Sequence, residues 1–503
     1  MRYTPVLRYT LMLSAVLPLL AILAPLDVQA FQFVDGDRWS RTATDDGTLK
    51  QGQPTTLTWG IIPDGTGISG GHGEDPSPSD LIAMMDGFYG SGGGDLTQRP
   101  WFALFADPLE RWEEVSGLSY VYEPNDPGTT LNGNNPPFGT RGSLGSVPDV
   151  RIGGHSIVVQ GADNILAYNY FPDSSDMVID TDDTSFYGST TNNSRALRNV
   201  VMHEAGHGIG LSHVDSNDSA ILMESFLNLS FDGPQLDDIL AAHRAYGDAW
   251  EKNGGNDTSG SATPLGLLAS GSPLSIGADA IDTAVAASDI DFISIDDNGD
   301  TDFLSFTTSA AGLLDVTLTP RGPTYNEGPQ GGSQSPFDTS AQSDLTLTLF
   351  DTDGSTSLAT INVNPAGGTE TLVDFDLGQV GTYFVRVTGS ANSAQLYELD
   401  LSIVVPFVLV LGDMNGDAVV DGVDVPLFMQ ALVNRGAYDA IGFPIDADIS
   451  GDLDGSGTFD LGDLGLLSGL IGGSAAASAA PEPSSWVLIL LAAAGVVASL
   501  RRR

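Results

Sequence analysis

The chain has no cysteine among its 503 residues. That excludes a disulfide framework, a catalytic thiolate and any thiolate-bound zinc. Cationic side chains are nearly as scarce. Lys and Arg number 19 against 65 Asp and Glu, the formal net charge is −46, and Lys50 and Lys252 are the only lysines. Phosphate recognition needs clustered Lys and Arg, so nucleic acid is excluded as a partner. Excess carboxylate suits solubility and calcium binding instead. Histidine is sparse too. There are six, yet three fall between positions 203 and 213, inside "NVVMHEAGHGIGLSHVDSNDSAILMES", Asn199 to Ser225.

A chain this long exceeds one hydrophobic core, so several domains are expected. Residues 1–30 carry Arg2 and Arg8, an apolar run from Leu11 to Leu23 and a small-residue site at Val28-Gln29-Ala30. These are the parts of a secretory signal cut after Ala30, and the run falls short of the roughly 20 residues of a membrane span. Residues 31–250 mix strand and helix patterns. "TTLTWGIIP" alternates as a strand. "WFALFADPLERWEEVSGLSYVYEP" reads as a helix, with Phe105, Leu109, Trp112 and Val115 at helical spacing, and then a strand; "PDVRIGG" is another strand. "NNSRALRNVVMHEAGHGIGLSH" predicts a helix N-capped by Ser194, and "GPQLDDILAAHRAYG" a second helix closed by Gly247. Residues 251–265 are rich in Gly, Ser and Asn and read as a linker. Residues 266–404 hold short β runs separated by turn residues, the pattern of an antiparallel sandwich, with "RGPTYNEGPQGGSQSPFDTSAQ" as a long inserted loop. Residues 405–472 hold two Asp-rich loops, each leading into an apolar helix, and residues 473–480 form a spacer before the tail 481–503.

The fold expected is therefore multidomain: an α+β domain combining a twisted sheet with helices, an all-β sandwich, a small α-helical pair of EF-hand-like loops, and a C-terminal apolar helix. The loop "DMNGDAVVDGVD" places Asp413, Asn415, Asp417, Asp421 and Asp424 at positions 1, 3, 5, 9 and 12. "DLDGSGTFDLGD" places Asp452, Asp454, Ser456, Asp460 and Asp463 at the same offsets. A hard cation needs several oxygens converging from one short loop, so this spacing predicts calcium. Asp rather than Glu at position 12, and Ala418 rather than Gly at position 6, resemble dockerin modules more than sensor EF-hands. That resemblance implies a cohesin-type partner, although paired loops also serve as a purely structural calcium module.

In the histidine-rich stretch, His203 and His207 are four apart on a predicted helix and share one face. Two neutral imidazoles there suit one tetrahedral zinc, with Glu204 beside it as general base for a water. Gly210 permits positive φ, so the chain turns back and brings His213 as third ligand, leaving a fourth position open as in catalytic zinc sites. Met223 follows ten residues later. His203-Glu204-x-x-His207, Gly210, His213 and Met223 resemble the metzincin metallopeptidases, with Met223 in their Met-turn, and the matrixins fit best. "FADPLERWEEVSGLSYVYE", "PDVRI" and "GPQLDDILAAHRAYG" resemble the matrixin first helix and strand, next strand and closing helix, so the resemblance spans about residues 50 to 248. Ser225 stands where astacins and serralysins carry Tyr. Glu224 and Ser225 replace the Tyr-Pro with which matrixins follow the Met, which affects the pocket beyond the scissile bond. The family's structural zinc is expected to be absent, because Tyr168 and Val178 occupy aligned positions, and His155 reads as a loop or core histidine. Asp176, Asp180 and Asp183 resemble the family's calcium ligands. A propeptide cysteine cannot supply latency in a chain without cysteine.

"DTDFLSFT" and "GTYFVRVTG" resemble the pre-peptidase C-terminal sandwich of secreted proteases. "PEPSSWVLILLAAAGVVASLRRR", an apolar run from Trp486 to Leu500 closed by three arginines, resembles the PEP-CTERM sorting signal of Gram-negative bacteria. That implies an exosortase-type processing enzyme and transient membrane attachment through residues 486–500 before release or display at the surface; a permanent one-span anchor is the alternative. The chain thus reads as a secreted zinc endopeptidase acting on protein or peptide substrates. The competing readings are a surface scaffold with a degenerate protease domain, and a polysaccharide-degrading glycosidase suggested only by the dockerin-like loops, for which no carboxylate pair is evident.

Overall fold

The computed structural model describes residues 38–131, 141–159, 165–252, 254–405, 409–443 and 445–473. The signal segment and the sorting tail lie outside the described residues. The chain divides into two compact units, one ending at Ile403 and the other beginning at Val404.

The first unit opens with β1 (Thr55–Ile61), β2 (Gly67–Ile68), β3 (Ser77–Pro78), α1 (Leu81–Tyr89), α2 (Ala103–Glu114), β4 (Leu118–Tyr122) and β5 (Val150–His155). It continues with β6 (Ala167–Asn169), β7 (Met177–Asp180), α3 (Thr184–Tyr187), α4 (Arg195–Gly208), β8 (Val214–Ser216) and α5 (Leu236–Tyr246). Five strands form a sheet in the order β4-β1-β5-β7-β6. All pair in parallel except the edge strand β6, which runs antiparallel to β7. β1 is buried along nearly its whole length, as a strand covered on both faces must be. Phe105, Leu109, Trp112 and Val115 are buried at their helical spacing, and Trp112 Nε1 donates to Met202 O at 3.0 Å, tying α2 to α4. Gly247 ends α5 with φ 72° and returns its N–H to His243 O at 2.8 Å. Ser194 does sit at the head of α4 but does not cap it. Its φ is 54° and its hydroxyl lies 3.1 Å from Tyr89 Oη. The left-handed backbone turns the side chain away from the first-turn amides it would have had to reach.

The sandwich contributes β9 (Thr263–Leu268), β10 (Leu274–Ile276), β11 (Ser294–Ile295), β12 (Thr301–Thr308), β13 (Gly312–Pro320), β14 (Thr324–Pro329) and β15 (Ser335–Asp338). Then come β16 (Leu345–Phe350), β17 (Ser357–Ile361), β18 (Glu370–Leu377), β19 (Thr382–Gly389) and β20 (Gln395–Val404). One sheet runs β10-β20-β13-β18 and the other β17-β16-β19-β12-β9. Alternate residues such as Leu314, Val316 and Leu318 of β13 and Tyr383, Val385 and Val387 of β19 meet between the sheets. The second unit holds α6 (Asp424–Val433), α7 (Arg435–Asp439), α8 (Ala447–Ser450) and α9 (Leu464–Gly473). A small core there joins Met414, Phe428, Tyr438, Ala447 and Leu467.

Two sequence expectations change at the junction of sheet and sandwich. Residues 251–265 are not a free linker: Glu251 and Asn256 are buried, and β9 begins at Thr263. Residues 321–342 are not a loop either. They form the β14–β15 hairpin, and β14 pairs with β8 of the sheet-and-helix region. Phe292, Tyr325, Phe337 and Leu396 belong to one hydrophobic core with α2, α4 and α5. Polar groups lock the same seam. His243 bridges Ser294 Oγ and Val115 O at 2.9 and 2.8 Å, and Asp248 accepts the Ser294 N–H at 2.8 Å.

Burial at this seam pushes the carboxyls of Asp248, Asp296 and Asp300 up to about 7, 8 and 6. Each holds its proton more tightly folded than unfolded. The stability they contribute is complete below the ordinary carboxylate range and is lost as pH rises toward 8. In the presence of a chelator, the melting temperature is expected to fall between pH 5 and pH 8, and Asp296→Asn to flatten the slope. A melting temperature constant over that window, or a slope unaltered in the variant, contradicts this account.

Candidate metal centre

α4 places His203 and His207 one turn apart on the face turned to the cleft. The helix stops at Ile209, and Gly210 takes φ 108° with its N–H on His207 O at 3.0 Å. A side chain at that φ is strained, so glycine is what lets the backbone reverse here. The reversal delivers His213. Its Nε2 lies 3.2 Å from Nε2 of His203 and 3.2 Å from Nε2 of His207. Tetrahedral zinc with Zn–N bonds of about 2.0–2.1 Å separates its nitrogens by about 3.3 Å. The three imidazoles stand at the spacing of one ion's ligands.

The opposite ring nitrogens settle the tautomers. Nδ1 of His203 lies 2.7 Å from Leu222 O, Nδ1 of His207 2.7 Å from Leu211 O, and Nδ1 of His213 3.1 Å from Gln330 Oε1. Each partner is an acceptor, so each Nδ1 carries the proton and each Nε2 presents a lone pair. Three lone pairs directed at one point repel unless a cation stands between them. Burial also lowers His203 to about 4 and holds His207 well below the ordinary histidine value, which keeps both rings in the neutral form a metal requires. Glu204 is buried beside them, its Oε2 has no partner, and burial alone raises its carboxyl to about 8. An unpartnered buried carboxyl adjoining three imidazole lone pairs fits zinc with an acid–base group next to it.

The ground beneath the site is equally specified. Met223 is buried, and a Cβ on Gly206 would lie 2.4 Å from its Sδ, so the glycine between the two helix histidines leaves room for this sulfur. Asp238 of α5 accepts the N–H groups of Leu222 at 2.7 Å and Met223 at 3.1 Å, fixing the carbonyl that orients His203. Gly206, Asp238 and Gln330 were not singled out from the sequence. A glycine inside a helical pattern is a signal for Gly206, and the Gln235-x-x-Asp238 capping box is one for Asp238. Gln330 had none, because the register of a hairpin against a distant strand leaves no local pattern.

Residues 151–247 match the Matrixin family model. The matched segment contains all three imidazoles, Glu204 and Met223, and the match supports a metallopeptidase. No curated protein matches the chain. Among solved structures, the pre-peptidase C-terminal domain of a collagenase from Bacillus anthracis is similar at 16% identity, over 28% of this chain and 94% of its own, with a TM-score of 0.17.

The remaining candidates fall in different surroundings. Tyr168 and Val178 face each other across β6 and β7. His155 is a core histidine, 2.8 Å from Ser77 Oγ through Nδ1 and 3.5 Å from Glu74 Oε1 through Nε2. Asp176, Asp180 and Asp183 are not among the metal-capable groups of the described residues. Asp176 is buried with both oxygens unpartnered, and burial raises its carboxyl to about 8 against the opposing charge of Arg151. Asp180 instead accepts the N–H groups of Ile157 and Asp182, both at 3.0 Å. In the second unit both Asp-rich loops fold onto their own carboxylates. Asp413 accepts from Asn415, Gly416 and Ala418, and Asp452 from Ser456 and Gly457; Asp424 and Asp463 close the two loops from position 12. Asn415, Asp417, Asp421 and Asp460 line their rims, and Ala418 takes φ 64°. Asp452, Asp454 and Asp463 converge as a metal-capable group, as do Glu251, Asp257 and Asp300 at the junction.

A cleft of about 860 Å³ opens over the histidines, walled by β6, Phe171, Ser225 to Leu227, Pro329 and Gln330. A cavity of about 1100 Å³ at the junction is lined by Gln51, Thr55 and Asp300 and has no imidazole. Packing of Met223 under the site yields a direct expectation. Gly206→Val overfills the space at Sδ, which costs about 1–3 kcal/mol of stability. It is expected to weaken zinc uptake at least tenfold, read by thermal melting and zinc titration. A variant equal to wild type in both contradicts the packing account.

Proposed function

We propose that this chain is a secreted zinc-dependent endopeptidase that hydrolyses peptide bonds in extracellular proteins. One observation carries the reading: three imidazole lone pairs at zinc-ligand spacing stand beside a buried, unpartnered carboxyl on the floor of an open cleft. Zinc bound by His203, His207 and His213 supplies Lewis acidity toward a peptide carbonyl and toward water. Glu204 takes the proton from the attacking water on its free Oε2 and passes it to the departing amine. Edge strand β6 lines the cleft and, among the described residues, pairs on one side alone, so an extended peptide can align there as an added strand. Ser225 and the exposed Phe226 border the region that receives the side chain after the scissile bond. A scaffold with a degenerate protease domain would be expected to have lost a ligand or the base; this chain retains all four residues.

The accessory regions extend the proposal. The sandwich is a pre-peptidase C-terminal-like module. The second unit is a dockerin-like pair of calcium loops that stabilises itself with Ca²⁺ and docks to a cohesin-type partner. The tail directs exosortase-type processing and surface delivery in a Gram-negative bacterium. Calcium is expected to raise the melting temperature of the second unit's transition, and Asp463→Asn, which weakens the carboxylate closing the second loop, to reduce that rise. An identical calcium response in the variant contradicts the assignment. For catalysis, Glu204→Ala is expected to retain stoichiometric zinc while cleaving casein about 10²–10⁴-fold more slowly. Undiminished cleavage rejects the role of Glu204, and absence of zinc from the wild-type protein rejects the reading itself.

A further inference from the structure

The third imidazole is oriented from outside the matrixin segment. Leu222 and Leu211 supply the acceptors for His203 and His207 from the active-site helix region itself, but the acceptor for His213 is Gln330, 117 positions further along the chain. Gln330 sits at the tip of the β14–β15 hairpin, which leaves the sandwich between β13 and β16.

The hairpin is seated on the peptidase rather than held out in solvent. β14 runs antiparallel to β8 with Glu327 opposite Ser216, Gly328 opposite Asp215 and Pro329 opposite Val214, the residue that follows His213. Asn326 donates to both oxygens of Asp218, at 2.8 Å from its N–H and 2.6 Å from Nδ2, and Tyr325 Oη donates to Asp237 Oδ1 at 2.6 Å. Tyr325 and Phe337 are buried in the core of the peptidase helices. At the tip, Gly331 N–H reaches Asp215 Oδ2 at 2.7 Å, while the other oxygen of Asp215 lies 3.4 Å from Ser225 Oγ beyond the Met-turn. The strand pairing fixes the register, the register fixes the tip, and the tip sets Oε1 on Nδ1 of His213.

Resting on the zinc reading above, we infer that the sandwich completes the metal centre. Gln330 is a positioning residue that holds the His213 proton on Nδ1, aims its Nε2 at the ion and, with Pro329, walls that side of the cleft. The sandwich is then a structural part of the peptidase rather than a detachable appendage.

Outer-shell partners of a ligating histidine affect metal affinity about 10- to 100-fold. The test uses the whole mature chain and measures zinc affinity by chelator competition, together with the visible spectrum of the Co²⁺-substituted protein. Gln330 is exposed at a hairpin tip, so its substitution leaves the core intact; unchanged melting of the metal-free variants verifies this. Gln330→Ala is expected to bind zinc 10- to 100-fold more weakly and to alter the Co²⁺ spectrum. Gln330→Glu, which keeps an acceptor at the same place, is expected to restore affinity to within about threefold of wild type. Wild-type affinity in Gln330→Ala, or equal loss in both variants, overturns the inference while leaving the zinc reading intact. Wild-type protein that takes up no zinc defeats that reading first and the inference with it.

Discussion

The structure depends on where three protons are held. Each imidazole of the candidate centre gives its Nδ1 proton to an oxygen of the protein, and that choice turns three Nε2 lone pairs toward one point. Without those acceptors the rings would be free to adopt the other tautomer or to rotate, and neighbouring imidazoles would hydrogen-bond to each other. With them, the cluster is repulsive without a cation and complementary to one. Glu204 needs the same arrangement. Its unpartnered carboxyl is costly to bury, and a positive charge at the imidazoles offsets that cost while leaving the oxygen free to exchange a proton.

The fold is arranged to hold the three acceptors still. The peptide that carries Leu222 O is held by Asp238 of the closing helix, which accepts the N–H groups of Leu222 and Met223. Leu211 O lies just past the Gly210 reversal, and Gln330 comes in on a hairpin paired to β8. These supports come from three separate parts of the chain, and they meet because α2, α4, α5 and the sandwich hairpin share one hydrophobic core. The junction acids and His243 belong to the same arrangement, since they decide whether the seam closes. A site positioned from several rigid elements is more sharply defined than one carried on a single loop.

The site was more legible in the sequence than the fold around it. His203, Glu204 and His207 declare themselves through helical spacing, Gly210 through the break it permits, and His213 and Met223 through their distance from that break. All are local relations that survive in one dimension. The strands of the sheet and sandwich were legible through alternation, and the Asp-rich loops through their offsets. Less legible were features set by tertiary contact. Ser194 has the chemistry of a cap, but its left-handed backbone turns it away. Residues 321–342 are rich in Gly and Pro and read as a loop, yet pairing with a distant strand makes them a hairpin. Gly and Ser at 251–265 suggested a free linker, while burial of Asn256 and Glu251 draws that segment into the seam. Asp176, Asp180 and Asp183 have ligand chemistry, but among the described residues they do not form one metal-capable group: Asp176 is buried with both oxygens unpartnered, while Asp180 accepts backbone N–H groups.

Zinc K-edge X-ray absorption on the purified full-length protein tests the central claim most directly, because it counts and identifies the atoms around the ion without relying on turnover. One zinc per chain is expected, with three imidazole nitrogens at about 2.0–2.1 Å and one further light atom. Substituting His213 should remove one imidazole from that shell. A shell with two or fewer imidazoles in the wild-type protein, or one unchanged when His213 is replaced, would contradict the convergence on which the whole account stands.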